Sequence, residues 1–171
     1  WGPPATAKSL FLLELRRLHG AVYRTGSYLS KAGLAETIMQ DHPRLLLIDE
    51  ADKLPVQSQE ALLSLMEQGE LIMGKQGKQT TMKAELQVFA AANRVERLLP
   101  ELRSRWLELY FPSYTREEFI NASMRALAMR YGGDGGLAQY TAERVWDMRP
   151  MPDPRDAIQL GRQCKDMAAV D

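Results

Sequence analysis

Two short stretches of this sequence carry residue types that suit phosphate chemistry. The first is GPPATAKS, residues 2–9. Gly2, Lys8 and Ser9 fit the spacing G-x-x-x-x-G-K-[ST], with Ala7 in place of the second glycine. A stretch of this kind curls its backbone N–H groups round phosphate oxygens at a helix N-terminus. Its lysine reaches the outer phosphates of a nucleotide and its hydroxyl faces a Mg2+ ion. The candidate phosphate ligands are therefore Gly2, Pro3, Pro4, Ala5, Thr6, Ala7, Lys8 and Ser9. Ala7 is expected where helical geometry begins, a geometry that alanine accommodates. A Gly/Pro turn ahead of an ordinary helix has the same composition, so a partner motif is required. LLLIDE, residues 45–50, supplies it. Asp49 and Glu50 directly follow an unbroken apolar run, which places them at the C-terminal end of a buried strand, the edge where open α/β sheets bind ligands. Asp49 is a candidate Mg2+ partner with Ser9, and Glu50 a candidate general base for an attacking water.

These groups need elements to hold them. Residues 8–18 read as a helix with apolar residues nearly all round, hence buried. A short strand is expected at 21–23, a helix at 31–40 ended by His42 and Pro43, and the buried strand at 44–48. Pro55 opens a helix over about 56–68. Two β-prone stretches near 70–74 and 79–83 flank a turn at Gln76-Gly77 and read as a hairpin. Buried strands are expected at 86–92 and 107–111. After Pro112 the pattern becomes helical. Thr115 and Glu118 form a capping box for a helix reaching Tyr131, with Phe119, Met124, Leu127 and Tyr131 on one face. GGDGG at 132–136 reads as a loop, followed by helices near 141–148 and 154–168. The expected architecture is α/β: a parallel sheet with helices on both faces over residues 1–112, then a small all-α lid over 113–171.

Composition sets outer bounds. Apolar residues make up 45% and charged residues 26%, as in an ordinary globular protein. No apolar run approaches the length of a membrane span, and no secretory signal is visible. Cys164 is the single cysteine, which excludes an internal disulfide and fits a reducing cytoplasm. His19 and His42 have no carboxylate or cysteine at ligand spacing, so a structural metal site is not expected. Lys plus Arg and Asp plus Glu both total 22, so only local charge clusters can speak for nucleic acid.

Together the two motifs, with IDEADKL running through the second, resemble those of the AAA+ ATPases, and the likeness covers nearly the whole chain. The resemblance implies Mg2+-dependent ATP hydrolysis and assigns further residues. AAANR resembles the end of the sensor-1 strand, where Asn93 orients the lytic water. LRSRW (residues 102–106) resembles the arginine-finger segment, with Arg105 as the finger and Arg103 in reserve. DPRDAIQL (residues 153–160) resembles sensor 2, with Arg155 on the γ-phosphate. The hairpin resembles the pre-sensor-1 insertion of minichromosome-maintenance helicases, the bacterial Holliday-junction branch-migration motor and MoxR-type chaperones. Its Lys75, Lys78 and Lys83, with no acid between residues 74 and 83, are candidate contacts to a nucleic-acid backbone; lysine as edge protection is the competing explanation. Lys31 is a further candidate contact. A finger acts on a neighbour's nucleotide, so the resemblance implies a homo-oligomeric ring, a hexamer, working in the cytoplasm on DNA. A protein client and a non-hydrolysing nucleotide-binding module are the alternatives. In the family a buried strand and an adenine-contacting segment precede the phosphate loop. Only Trp1 stands ahead of Gly2, so an N-terminally truncated core is expected.

Overall fold

The computed structural model describes residues 1–75, 78–131 and 135–163, without the side chains of residues 74, 75, 78 and 79. Gln76 and Gly77 of the expected turn, most of the GGDGG loop, and residues from Cys164 onward lie outside the described residues. The chain divides into two compact units: Trp1–Pro3 with Ala7–Phe111, and Pro4–Thr6 with Pro112–Asp171.

The first unit runs α1 (Lys8–Leu15), β1 (Ala21–Thr25), α2 (Lys31–Asp41), β2 (Leu45–Asp49), α3 (Val56–Gln68), β3 (Glu70–Lys75), β4 (Lys78–Lys83), β5 (Gln87–Ala90) and the short α4 (Pro100–Arg103). Three strands form a parallel sheet in the order β1-β2-β5, with Tyr23 opposite Leu47, Thr25 opposite Asp49 and Ile48 opposite Ala90. The central position of β2 explains its unbroken apolar run. Leu46 and Ile48 point into the main core with Leu34 and Ile38 of α2 and Leu62 and Leu65 of α3. Leu47 points to the other face, against Leu12 of α1 and Ala91. All three β2 side chains are fully buried. Helices therefore cover both faces of the sheet, the arrangement of a P-loop nucleotide-binding fold.

Local chemistry fixes the ends of these elements. Ser30 caps α2 by accepting the Gly33 N–H at 3.1 Å. His42 closes α2 in a left-handed conformation ahead of Pro43. Gly69 does the same for α3, where its N–H bonds the Leu65 carbonyl. The buried Gln59 of α3 donates to the carbonyls of Leu54 and Arg97 and accepts the Leu99 N–H at 2.8 Å. It thereby ties α3 to the turn that leads into α4 and the arginine segment. The β3–β4 hairpin is antiparallel, with Glu70 opposite Lys83 at its base and Lys75 opposite Lys78 beside the turn. Lys83 is paired with Glu70 at 3.3 Å, so it belongs to the base of the hairpin rather than to its turn.

Three expectations for this unit and its flank do not hold. The helix at 8–18 stops at Leu15, and Leu10, Phe11 and Leu13 are exposed; α1 buries Lys8 and Leu12. One side of a helix can meet a sheet; Phe11 meets only the Phe111 ring among the described aromatic residues, and Leu10 and Leu13 remain exposed. Residues 107–111 form no strand. Among the described residues, their backbone hydrogen bonds go to Trp1: the Trp1 amino group donates to the Leu109 carbonyl at 2.5 Å and the Phe111 N–H to the Trp1 carbonyl at 2.7 Å. One residue is too short to make a ladder. Between this segment and β5 lies a cavity of about 240 Å³, lined by Trp1, Phe11, Val88, Ala90, Leu107 and Leu109 among others. Ala7 is not at a helical φ, as described below.

The second unit contains α5 (Arg116–Tyr131), α6 (Gly135–Met148) and α7 (Pro154–Gln163). The capping box is formed: the Glu118 carboxylate accepts from both the Thr115 N–H and its hydroxyl, and Thr115 Oγ1 accepts the Glu118 N–H. These bonds hold the Glu118 carboxyl below the usual carboxylate range. Phe119 and Leu127 of α5 pack with Ala138 and Val145 of α6 and Ala157 of α7. Tyr131 is exposed, and the buried face is completed by Ser123 instead. α6 begins at Gly135, well before the expected residue 141, so the last two glycines of GGDGG are helical. Gly135 and Gly136 are poor helix formers, and packing of Ala138, Thr141, Ala142 and Val145 overrides that preference. Among the described residues, no helix is long and apolar enough to cross a membrane.

Candidate functional site

The parallel register brings the C-terminal ends of β1 and β2 to one rim of the sheet, and the start of α1 faces that rim. Asp49 is the last residue of β2. Both of its carboxylate oxygens are engaged: Oδ1 accepts the Glu50 N–H at 2.9 Å, and Oδ2 accepts the Tyr23 hydroxyl at 2.7 Å. Tyr23 comes from the middle of β1, and the Arg16 guanidinium lies 6.0 Å from its ring centre. Glu50 then turns the chain with a left-handed φ of 53°, and residues Ala51–Lys53 form a 3-10 turn. A non-glycine residue in that region is costly unless its surroundings impose it. The surroundings here are specific. The Ala51 N–H bonds the Ala91 carbonyl at 2.8 Å. On the β1 side, Gly26 lies so close that a Cβ would sit 2.4 Å from the Glu50 carbonyl oxygen.

Lys8 opens α1 and is buried. Burial pushes its pKa down, and the carboxylates of Asp49 and Asp52 oppose that by favouring the charged form. Its ammonium also bonds the Pro3 carbonyl within the same loop. The first intrahelical bond is Phe11 N–H to Ala7 carbonyl at 2.9 Å, and no side chain caps the helix start. The N–H groups of the first turn, Ser9 among them, thus lack intrahelical acceptors and present the positive end of the helix. The loop that delivers them is strained: Ala5 and Ala7 both have left-handed backbone, at φ 63° and 61°. The expectation that Ala7 sits at helical geometry is corrected here, because this position turns the chain into the helix. Gly2 is required for a different reason. A Cβ there would lie 2.0 Å from the Phe111 carbonyl oxygen, and the Gly2 N–H bonds the Ala92 carbonyl.

Of the remaining candidates, Asn93 lies just beyond β5 with its N–H bonded to Asp52 Oδ1 at 3.0 Å. Among the described residues its side-chain amide makes no hydrogen bond. The two arginines of the finger segment are each paired within the chain. Arg103 grips the Glu108 carboxylate through Nε and Nη2, and Arg105 meets Glu67 of α3 at 2.5 Å. Arg155 is exposed in the first turn of α7, where its N–H bonds Asp153 Oδ1. Lys75 and Lys78 face each other in the hairpin register, and their side chains lie outside the description. Lys31 is half-buried at the start of α2.

Three residues of the rim escaped the sequence reading. Tyr23 anchors Asp49, Asp52 bonds Asn93, and Lys53 pairs with Glu50 at 2.7 Å. That bond raises the Lys53 pKa above its ordinary value. Alternation along β1 could have placed Tyr23 on one face with Ala21 and Thr25. Nothing local distinguishes Asp52 from a solvated acid.

Carboxylates at a strand end, a buried ammonium and uncapped helical N–H groups together suit a polyanion carrying a hard divalent cation. Mg2+ prefers oxygen donors and keeps several waters, and the Ser9 hydroxyl and Asp49 carboxylate are donors of that type. Among the described residues, no group of three or more His, Cys, Asp or Glu is disposed to hold a metal alone.

The fold is that of a P-loop domain, and its motif order, with a hairpin ahead of β5, resembles that of the AAA+ ATPases. More particularly, residues 44–113 match the family described as the MCM P-loop domain. The chain is 32% identical over 111 residues to the DNA replication licensing factor mcm2 of Schizosaccharomyces pombe, a match spanning 55% of this chain and 13% of that protein. Among solved structures, the Thermotoga maritima RuvB Holliday junction branch migration motor aligns with a TM-score of 0.71 at 21% identity, covering 99% of this chain and 57% of that one. NtrX from Brucella abortus, solved in complex with ADP, aligns with a TM-score of 0.67 at 14% identity over 95% of this chain and 43% of its own. The chain thus spans a small fraction of its curated relatives and about half of its structural neighbours.

Proposed function

We propose that this chain is the ATP-hydrolysing module of an AAA+ ring ATPase that remodels or translocates DNA. The observation that supports the proposal is that α1, which opens on the buried Lys8, packs its Leu12 against Leu47 of β2, the strand that ends on Asp49, whose carboxylate favours the charged form of Lys8. In this reading the backbone of Gly2 to Ser9 cradles the phosphates, and Lys8 holds the outer ones. Ser9 and Asp49 hold Mg2+, which when bound neutralises charge on the phosphate oxygens. Asp49 is pre-oriented by Tyr23 and by the Glu50 N–H, so its carboxylate does not reorganise on binding. Glu50 takes the proton of the attacking water, leaving Lys53 to do so, and Asn93 orients that water. Arg105 acts on a neighbouring subunit's nucleotide by exchanging Glu67 for the γ-phosphate, with Arg103 in reserve. Arg155 senses the γ-phosphate. Such roles require a ring, taken here as a hexamer.

DNA is favoured as the substrate by the match to the MCM P-loop domain and by the hairpin, whose register sets Lys75 opposite Lys78. Lysines that contact phosphates release counterions, so binding should weaken steeply with salt.

The test is turnover by the intact protein. Glu50→Gln should keep Mg·ATP binding and lower kcat by about 10²–10⁴-fold, the usual contribution of a general base. Unchanged turnover in that variant removes Glu50 from the mechanism. Stimulation by DNA supports the DNA reading. Stimulation by a protein client alone replaces it with the chaperone reading. Binding without turnover leaves a nucleotide-binding module.

A further inference from the structure

Asp52 is a buried acid that the mechanism above does not use. It is 7% exposed, in the middle of the 3-10 turn that follows Glu50. Burying a carboxylate costs much unless hydrogen bonds compensate it. Its bond is to the backbone N–H of Asn93, at 3.0 Å. That N–H has a particular place in the fold. The β2–β5 ladder runs as far as Ile48 opposite Ala90, and the Ala91 N–H still bonds the Ile48 carbonyl at 2.8 Å. The return bond, Ala51 N–H to Ala91 carbonyl, is the last backbone link between these two segments among the described residues. Asn93 lies two residues further on, past the reach of the ladder. The carboxylate of Asp52 takes over where the backbone pairing ends.

From this geometry we infer that Asp52 is a positioning residue that fixes Asn93 against the Asp49–Glu50 turn. The inference rests on the ATPase reading. Asp49, Glu50 and Asp52 share one rigid turn, so a bond from that turn to Asn93 sets the spacing between the base and the amide that must address the same water. A charged acceptor makes a stronger bond than a neutral one, and this bond holds Asn93 itself where the neighbouring backbone bonds, Ala51 N–H to Ala91 and Gly2 N–H to Ala92, stop short of it. Asn93 has its own amide left to present to the site.

Asp52 also acts electrostatically on Lys8, and the test must separate the two effects. ATP turnover and Mg·ATP binding are measured on the intact protein, with thermal unfolding as a check on folding. Asp52→Ala should lower kcat by about 30–100-fold, the scale of an ångström-sized misplacement, with KM for ATP within about threefold of the parent. Asp52→Asn keeps an acceptor oxygen at the same position, and should recover kcat to within about fivefold of the parent. In an Asn93→Ala background, adding Asp52→Ala should lower kcat by less than about twofold, because the two residues act through one link. Parental kcat in Asp52→Ala overturns the inference and leaves the ATPase reading intact. So do fully additive losses in the double variant. Asp52→Asn with turnover as low as Asp52→Ala and a raised KM for ATP overturns it in favour of a charge effect on Lys8. If Asp52→Ala does not fold, the Asp52→Asn outcome decides by the same criterion. A parent that binds Mg·ATP without hydrolysing it overturns the ATPase reading and this inference together.

Discussion

β2 and the segment at residues 107–111 are both short and apolar, LLLID against LELYF, and they meet different fates. β2 has a strand on each side and a helical layer on each face, and its three central side chains are fully buried. The other segment has Trp1 as its backbone partner, borders a cavity, and leaves Leu107 at 88% exposure. A strand is therefore a property of a neighbourhood, because the backbone ladder and the face packing both come from other parts of the chain. The same contrast separates the candidate site residues. Asp49, Glu50 and Asn93 sit at the ends of paired strands and are held by named hydrogen bonds. Arg103 and Arg105 precede the unpaired segment, and carboxylates of the same chain hold them in exposed or half-exposed ion pairs. Such exposed pairs are worth little and exchange readily.

Truncating one leucine in each stretch puts the contrast to its strongest test. Leu47→Ala removes a fully buried side chain packed against Leu12 and should cost about 3 kcal/mol. Leu109→Ala, at a half-exposed position, should cost about 0.5 kcal/mol or less. Urea unfolding midpoints of the two variants measure this. Equal losses would mean that 107–111 is as well packed in solution as β2. A middle-sized effect is expected at Gly2, which touches both regions: its N–H bonds Ala92 beyond β5, and its Cα faces the Phe111 carbonyl. Gly2→Ala should cost about 1–3 kcal/mol, since the clashing atom belongs to the backbone and cannot rotate away. A neutral effect on the unfolding midpoint would show that residues 107–111 yield freely.

The sequence made legible what local chemistry determines. The run at 45–49, the helix over 56–68, the hairpin pairing and the Thr115–Glu118 box each follow from residues that are neighbours in the chain. It failed where the deciding partner is remote. Residues 107–111 have strand composition and no ladder. α1 leaves Leu10 and Leu13 exposed, and α6 starts on glycines because Ala138 and Val145 pack elsewhere. The site divides in the same way. Lys8, Ser9, Asp49 and Glu50 are visible through spacing. Tyr23 and Asp52 act through contacts 26 and 41 positions away in the chain, to Asp49 and to Asn93, and carry no signature of their own.

Strain marks the same division and supplies the smallest effect. Among the described residues, the left-handed non-glycine positions are Ala5, Ala7, His42 and Glu50, and none lies in 107–111. His42 and Glu50 bracket β2, and Ala7 delivers Lys8 to its end. Such conformations persist only where the surroundings over-determine them, as they do beside a fully paired strand. At Ala7 the conformation costs about 1–2 kcal/mol, because the Cβ approaches its own carbonyl group. Replacing it with glycine removes that cost but adds about 0.4–1 kcal/mol of lost unfolded-state entropy. Ala7→Gly should therefore stabilise the chain by a net amount of about 0.5–1 kcal/mol, seen as a small rise in the urea midpoint. A fall instead would mean that the loop leaves the left-handed region in solution, and that Lys8 is less firmly delivered to the end of β2 than its burial suggests.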